Sequence, residues 1–363
     1  MTKPTVSAKT VLIMAAGTGG HIFPALAVAQ LLRTRGWRVE WLGTAVGIEA
    51  TVVPANDFSL HRISAVGLRG KDFKKLLLAP WFLACSFWQT VKIFRQIRPR
   101  VVLGMGGFVT GSGGMCARIF GAPLVIHEQN AIAGTANRVL ACFAQRVLSA
   151  FPNVFAHGEV VGNPVRADIA RLAKEPKKIS DQNTAIKLLV LGGSQGAQIL
   201  NDVLPHAIGL LPDTIRPEVF HQSGKGKKEG TRERYGQLGV DARVDDFVDD
   251  MAAMYQWADI VVCRAGAMTV SELACAQLPA VLIPLPSAID DHQNFNARYL
   301  VDAGASYLLP QSQLNAETLA DMLKKIMANR AALQAMADTL RSLASITAAE
   351  RVADICEELA DVQ

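Results

Sequence analysis

The sequence predicts an α/β protein made of two doubly wound parallel-sheet domains facing a cleft. Three observations carry that expectation. A unit of apolar strand, glycine turn and helix occurs early, in "VLIMAAGTGGHIFPALAVAQLL" (11–32), and returns in "KLLVLGGSQGAQILNDVL" (187–204). Other short apolar strands alternate with helical segments along both halves, the pattern of parallel sheets. At 363 residues the chain is also long for a single hydrophobic core.

The elements follow in order. Val11 to Met14 reads as a strand, and Pro24 falls in the first turn of the next helix, where a missing N–H costs little. "RPRVVLGMGGFVTGSGGMCARIF" (98–120) and "APLVIHEQN" (122–130) each set an apolar strand before a small or polar loop. "VVGNPVR" (160–166) reads as the join, because Asn163-Pro164 favours an extended turn. The first domain is therefore expected over residues 1–165 and the second over 166–345, with polar residues 174–187 as a surface connection. Beyond Lys187, "PEVFHQSGKG", "ADIVVCRAGAMTVSELACAQ" and "LPAVLIPLP" give three more strands, the second running into a helix. "TAAERVADICEELADV" (347–362) closes the chain as a helix. Thr347 and Glu350 stand at capping-box spacing, and Val352, Ile355, Cys356 and Leu359 form one apolar stripe. Segment 346–363 is expected to pack back on the first domain.

Composition removes several function classes. A net charge of +5 without a basic stripe or stacking aromatics does not mark a nucleic-acid binder. It suits anionic small molecules or an anionic membrane surface. Six scattered cysteines with no C-x-x-C pair indicate reduced thiols in a cytosolic protein, with neither a zinc site nor a disulfide framework. The N-terminus has no secretory apolar region. The longest apolar run, Leu76 to Trp88, is interrupted by Pro80 and is too short to span a bilayer.

The chemistry-bearing stretches sit at strand ends. Gly17 and Gly19 begin a G-x-G, but Ile22 holds the third glycine position, and "GGSQG" fails likewise, which disfavours a nicotinamide enzyme. Such turns still offer amides and a helix N-terminus to an anion. His21 follows Gly19-Gly20 at that terminus, where a neutral imidazole can serve as a general base. "LVIHEQN" ends a strand with four hydrogen-bonding side chains, His127 to Asn130. Thr269 and Glu272 have capping-box spacing, so Glu272 either caps its own helix or accepts bonds from ribose hydroxyls. In "IDDHQNFNA", Asp290, Asp291 and His292 are adjacent, and adjacent side chains rarely converge on one ion. A polar lid over sugar hydroxyls is expected there, and no metal. Finally, Arg69, Lys71, Lys74 and Lys75 stand beside Leu76, Leu77, Trp81, Phe82 and Trp88, which fits either a buried hairpin or a surface dipping into an anionic bilayer.

In order, "GTGGH", "GLRGK", "VVLGMGG", "HEQN", "VVGNPVR", "GGSQGA", "HQSGKG", "FVDDM", "ADIVVCRAGAMTVSE" and "DDHQ" make the chain resemble the MurG family over nearly its whole length. Those enzymes transfer N-acetylglucosamine from UDP-GlcNAc to lipid I, undecaprenyl-pyrophosphoryl-muramoyl-pentapeptide, at the cytoplasmic face of the bacterial inner membrane. The resemblance implies the GT-B architecture of two Rossmann-like domains. It implies that uracil meets the backbone at Val248, that Glu272 holds the ribose, and that Ser194 and Arg166 hold the diphosphate. Ala267, Met268, Thr269, Val270, Ser271, His292 and Gln293 would line the donor site, with Thr18, Gly19, Gly20 and Asn130 closing over the sugar. Gly17, Gly104, Gly106 and Gly107 would cradle the acceptor's pyrophosphate. Residues Lys71, Lys74, Lys75, Leu76, Leu77, Trp81 and Phe82 would dock on the membrane as a peripheral patch. The implied reaction inverts the anomeric carbon with no cofactor, stimulation by a divalent cation being left open. His21 is the first choice of base and Glu128 the second. His292 stands where some relatives carry glutamine. A nucleotide-sugar epimerase or hydrolase of the same fold, and a non-catalytic nucleotide-binding scaffold, are the rival readings.

Overall fold

The computed structural model describes residues 9–64, 79–193 and 196–362. Two units emerge, Met1–Arg166 with Thr347–Gln363, and Ala167–Ile346. Arg166 thus closes the first unit instead of opening the second.

The first unit carries β1 (Thr10–Ala15), β2 (Arg38–Gly43), β3 (Ser59–Arg62), β4 (Val101–Gly106), β5 (Leu124–Glu128), β6 (Arg146–Ser149) and β7 (Glu159–Val160). They pair in parallel in the order β3-β2-β1-β4-β5-β6-β7. The second unit carries β8 (Lys187–Leu191), β9 (Glu218–Gln222), β10 (Ala242–Asp245), β11 (Ile260–Cys263), β12 (Ala280–Leu282) and β13 (Tyr307–Leu308). Their order is β10-β9-β8-β11-β12-β13, again parallel. In each sheet the order reverses once, between β1 and β4 and between β8 and β11. Ligands of open parallel sheets bind beyond the carboxyl ends of the strands at such a reversal.

The central strands β1, β4, β8 and β11 are almost wholly apolar because both of their faces are covered, whereas the edge strands β3, β7 and β10 carry polar, partly exposed residues. Alternate residues of β1 face opposite ways. Val11 and Ile13 pack with Ile22 and Val28 of the helix Gly19–Thr34 and with Val352 and Ile355 of the helix Ala348–Asp361. Leu12 and Met14 pack with Phe94 of the helix Ala79–Ile97 and Cys116 of the helix Val109–Phe120. The second unit has its own core around Leu188, Val190, Leu204, Tyr235 and Val262.

The last helix packs on the first unit, but its capping box does not form, since Thr347 makes no side-chain cap bond. Packing and exposed polar ties anchor it instead. Trp37 Nε1 donates to Glu357 Oε1 at 2.8 Å, Arg35 reaches Asp354 and Glu357 at 2.7 and 2.6 Å, and Arg351 reaches Glu159 at 2.7 Å. Exposed ion pairs stabilise little, so the apolar stripe dominates. Ile355 is completely buried in this seam. Ile355→Ala is expected to lower unfolding free energy by about 2–5 kcal/mol, measured by urea denaturation, while Glu350→Ala, which loses no capping bond, changes it by less than about 0.5 kcal/mol.

Candidate functional site

The loop after β1 is shaped by a buried acid that the sequence did not single out. Gly17 takes a φ of +99°, and its N–H donates to Glu49 Oε2 at 3.1 Å. Glu49 is fully buried, and its Oε1 accepts from the Thr44 amide at 3.1 Å and the Thr44 hydroxyl at 2.6 Å. The Gly17 amide is therefore spent on a carboxylate and is not a pyrophosphate donor. The helix that follows starts at Gly19 with Thr18 as N-cap, without a side-chain cap bond and without an acid in its first turn. Amides at such a terminus are open to an anion.

His21 lies in that first turn, and its ring rests on β4. A Cβ at Gly106 would come within 2.5 Å of His21 Nδ1, and one at Gly107 would overlap the Ala16 carbonyl. Both glycines also take positive φ, +107° and +90°. The pairing of β1 with β4 shifts register after Met14, so that Ala15 faces Gly106. Such a bulge re-aims the chain. Gly106 is thus a packing residue under the imidazole. Gly104 lies inside β4, opposite Met14 and Ile126, buried and unable to touch a ligand. Gly17 and Gly107 are the accessible ones of the glycines expected around the pyrophosphate, and the Gly17 amide is engaged by Glu49.

The "HEQN" run divides its work. Glu128 is almost fully buried; Oε1 accepts from the Asn130 amide and Asn130 Nδ2, both at 3.1 Å, and Oε2 from the Gly134 amide at 3.0 Å and Asn137 Nδ2 at 2.8 Å. Both oxygens of Glu128 are thus occupied by donors of its own loop, which it organises. Gln129 Oε1 accepts from His21 Nδ1 at 2.8 Å, and Gln129 Nε2 donates to His127 Nδ1 at 3.0 Å. His127 Nε2 donates to the Gly162 carbonyl at 2.9 Å. Burial pushes His127 down to about 4, so its ring is neutral.

The second unit builds a parallel arrangement at its own reversal. Gln222, at the end of β9, accepts from the Gly193 amide at 3.1 Å and donates to the Gly193 carbonyl at 2.9 Å, clamping the glycine turn after β8. Gly196 sits so close to the Ser223 carbonyl that a Cβ would overlap it. Ser194 lies outside the described residues. Beneath the turn, His221 Nε2 donates to Asn201 Oδ1 and Tyr235 Oη donates to His221 Nδ1, both at 3.0 Å. Burial lowers His221 to about 3, leaving another neutral brace.

The helix Ala267–Ala276 begins at Gly266, again without a side-chain cap. Thr269 is therefore inside the first turn and Glu272 a turn further on, so the capping-box reading of this pair fails. Glu272 is instead half-buried and accepts from Tyr255 Oη at 2.9 Å. Ala267, Met268 and Val270 send their side chains into the core, which leaves only their backbone for a ligand. Ser271 Oγ donates to the Ala267 carbonyl at 3.0 Å. Val248 is buried after β10, two residues before Asp250, which caps the helix Met251–Trp257 through the Ala253 amide at 2.9 Å.

His292 and Gln293 open the helix His292–Val301. Asn296 Nδ2 donates to the Ala265 carbonyl at 3.3 Å, and Gln293 Oε1 accepts from the Leu285 amide at 2.9 Å. The Asn296 bond ties the helix His292–Val301 to the turn just before the Ala267 helix. Asp290 and Asp291 before them both take left-handed φ, +52° and +54°. Non-glycine residues pay strain there, a feature concentrated at ligand clamps. Asn130 and Thr18 belong to the first unit, and Arg166, half-buried, ends it.

Of the basic and aromatic stretch, Lys71, Lys74, Lys75, Leu76 and Leu77 lie outside the described residues. Trp81 and Trp88 are 68% and 61% exposed on the helix Ala79–Ile97, with Phe82 half-buried, so this part is no buried hairpin. The adjoining helix Val109–Phe120, joined through the stacked rings of Phe94 and Phe120, adds exposed Met115 and Ile119. No described helix is long and apolar enough to cross a membrane.

Residues 11–149 match the Glycosyltransferase family 28 N-terminal domain, and residues 187–359 its C-terminal domain. A curated protein of Dechloromonas aromatica (strain RCB), named UDP-N-acetylglucosamine--N-acetylmuramyl-(pentapeptide) pyrophosphoryl-undecaprenol N-acetylglucosamine transferase, is 49% identical over 97% of this chain and 99% of its own. One of the same name from Pseudomonas savastanoi pv. phaseolicola is 52% identical over 96% and 98%. The crystal structure of Acinetobacter baumannii MurG superposes with a TM-score of 0.83 at 37% identity, covering 96% of this chain and 99% of that one. A Listeria monocytogenes structure titled "putative UDP-N-acetylglucosamine 2-epimerase", at 13% identity and a TM-score of 0.64, shares the fold alone. Identity near one half across both domains is much closer than that shared fold, and the chain belongs to the MurG family of family 28 glycosyltransferases.

Proposed function

We propose that the protein moves N-acetylglucosamine from UDP-N-acetylglucosamine to the muramoyl 4-hydroxyl of lipid I, forming lipid II of the peptidoglycan pathway. Family membership across both domains names the reaction class, and one geometric observation supports the chemistry. His21 stands on an uncapped helix N-terminus with Nδ1 engaged by Gln129, which leaves Nε2 to take a proton.

The donor belongs with the second unit. Uracil would meet the backbone beside Val248, the ribose diol would bond Glu272 as oriented by Tyr255, and the sugar would meet Thr269, His292 and Gln293. Ser194 and Arg166 would attend the diphosphate. Developing charge on the leaving diphosphate would be met by the positive end of the helix Ala267–Ala276, whose N-cap is Gly266, so no resident metal is invoked. On the first unit, Gly19, Gly20 and Gly107 are offered to the acceptor's pyrophosphate. The exposed Trp81, Trp88, Met115 and Ile119 suit a peripheral contact with the anionic cytoplasmic leaflet.

The direct experiment incubates the protein with labelled UDP-N-acetylglucosamine and a lipid I analogue. The expected product is a β-1,4-linked disaccharide on the lipid; release of free sugar or an epimerised nucleotide sugar without transfer would support the rival reading. Glu272→Ala should raise the KM for the donor about 10- to 150-fold, the effect of losing a charged acceptor. An unchanged KM would reduce Glu272 to a partner of Tyr255.

His21→Asn should lower kcat by about 10²–10⁴-fold with a smaller change in donor KM. A base must be unprotonated to act, so the wild-type rate falls toward acid, and this limb of the pH–rate profile should be lost in the variant. A near-normal kcat with the acid limb intact would exclude His21 as the base.

A further inference from the structure

His21 comes from one helix, but what orients its ring lies on β5 and beyond. Three hydrogen bonds run inward in a row, from His21 Nδ1 to Gln129 Oε1, from Gln129 Nε2 to His127 Nδ1, and from His127 Nε2 to the Gly162 carbonyl, at 2.8, 3.0 and 2.9 Å. Gln129 and His127 have no exposed surface. Gly162 takes a φ of +83° that glycine tolerates, on the segment after β7, and this aims its carbonyl at His127.

The direction of the row follows from its inner end. A carbonyl can only accept, so His127 carries its proton on Nε2. The ring is neutral because it is buried, so Nδ1 is a bare acceptor. Only the amide nitrogen of Gln129 can serve that acceptor, which turns the amide oxygen outward. An oxygen facing His21 Nδ1 requires a proton on that nitrogen. In a neutral imidazole the remaining nitrogen, Nε2, then holds the lone pair. The neighbouring carboxylates are committed elsewhere, Glu128 to Asn130, Gly134 and Asn137, and Glu49 to Gly17 and Thr44.

We propose that Gln129, locked by His127 and the Gly162 carbonyl, is a positioning residue that holds the proton of neutral His21 on Nδ1 and makes Nε2 the basic nitrogen of the transfer reaction. This rests on the reading of His21 as general base. In the step it serves, the acceptor O–H bond breaks and its proton passes to Nε2. The oxygen's electron pair forms the bond to the anomeric carbon, and the bond from that carbon to the diphosphate oxygen breaks, its pair leaving on UDP. The imidazolium formed keeps its Nδ1–H on the Gln129 oxygen throughout. An amide does this without a charge, whereas an imidazole free to choose puts its neutral-form proton mainly on Nε2, the wrong nitrogen.

The test is the imidazole ¹⁵N spectrum of the full chain, with long-range ¹H–¹⁵N correlations reporting each ring's tautomer. Wild-type His21 is expected as the Nδ1–H form and His127 as Nε2–H. An Nε2–H tautomer for wild-type His21 overturns the proposal with no variant needed. Gln129→Met, which keeps length but removes both amide atoms, should return His21 to Nε2–H and lower kcat by about 10- to 100-fold with donor KM within about twofold. Gln129→Leu serves if that variant does not fold, as judged by circular dichroism. A tautomer or kcat unchanged in the folded variant overturns the positioning role while leaving His21 as base. Should His21→Asn keep full turnover while the tautomer still responds to Gln129, the base reading fails and the catalytic claim falls with it.

Discussion

Each sheet reverses its order once, and the glycine turns beside each reversal pack with no room for a Cβ. Gly107 lies on the Ala16 carbonyl, Gly106 under the His21 ring, and Gly196 on the Ser223 carbonyl. These approaches bring a helix N-terminus to the mouth of each reversal with its first amides unspent by any side-chain cap. An alanine would overlap backbone at Gly107 and Gly196 and the imidazole at Gly106, added to a strained positive φ at each. Open parallel sheets bind their ligands at such reversals, where strand ends, glycine turns and helix dipoles meet.

Buried polar groups hold these turns in shape. Glu49 binds Gly17 in the first unit and Gln222 binds Gly193 in the second. Two histidines kept neutral by burial, His127 and His221, sit one layer below. A buried polar group is stabilising only when satisfied. Glu128, Glu49 and His221 are each supplied with partners by neighbouring loops or helices. Glu49 and Glu128 thereby shape the two loops that flank His21.

The periodicity of apolar runs made the two parallel sheets legible, because strands buried on both faces read as continuous Val, Leu and Ile. The strand-end motifs were legible for the same reason, as polar residues breaking those runs. Roles within a motif were not. Thr269 and Glu272 have the spacing of a capping box, but the helix starts at Gly266 and the spacing serves Tyr255 instead. Gly104 looks like its neighbours in "GMGG", yet strand pairing buries it. Glu49 stands in an ordinary helical segment, and nothing local marks it as the partner of Gly17, a contact spanning 32 residues. Long-range partners of this kind are set by topology, which one strand's sequence does not encode.

The division of labour between the two reversals can be measured with UDP alone, which carries the nucleotide and diphosphate but no sugar. Titration into ¹⁵N-labelled protein, followed by transverse-relaxation-optimised amide spectra, should shift the amides of Gly192 to Gly196, Val248 and Ala267 to Glu272. Gly19, Gly20 and His21 should stay in place until an acceptor analogue is added. Shifts led by Gly19, Gly20 and His21, with the turns after β8 and β11 silent, would contradict the assignment of the nucleotide to the second unit.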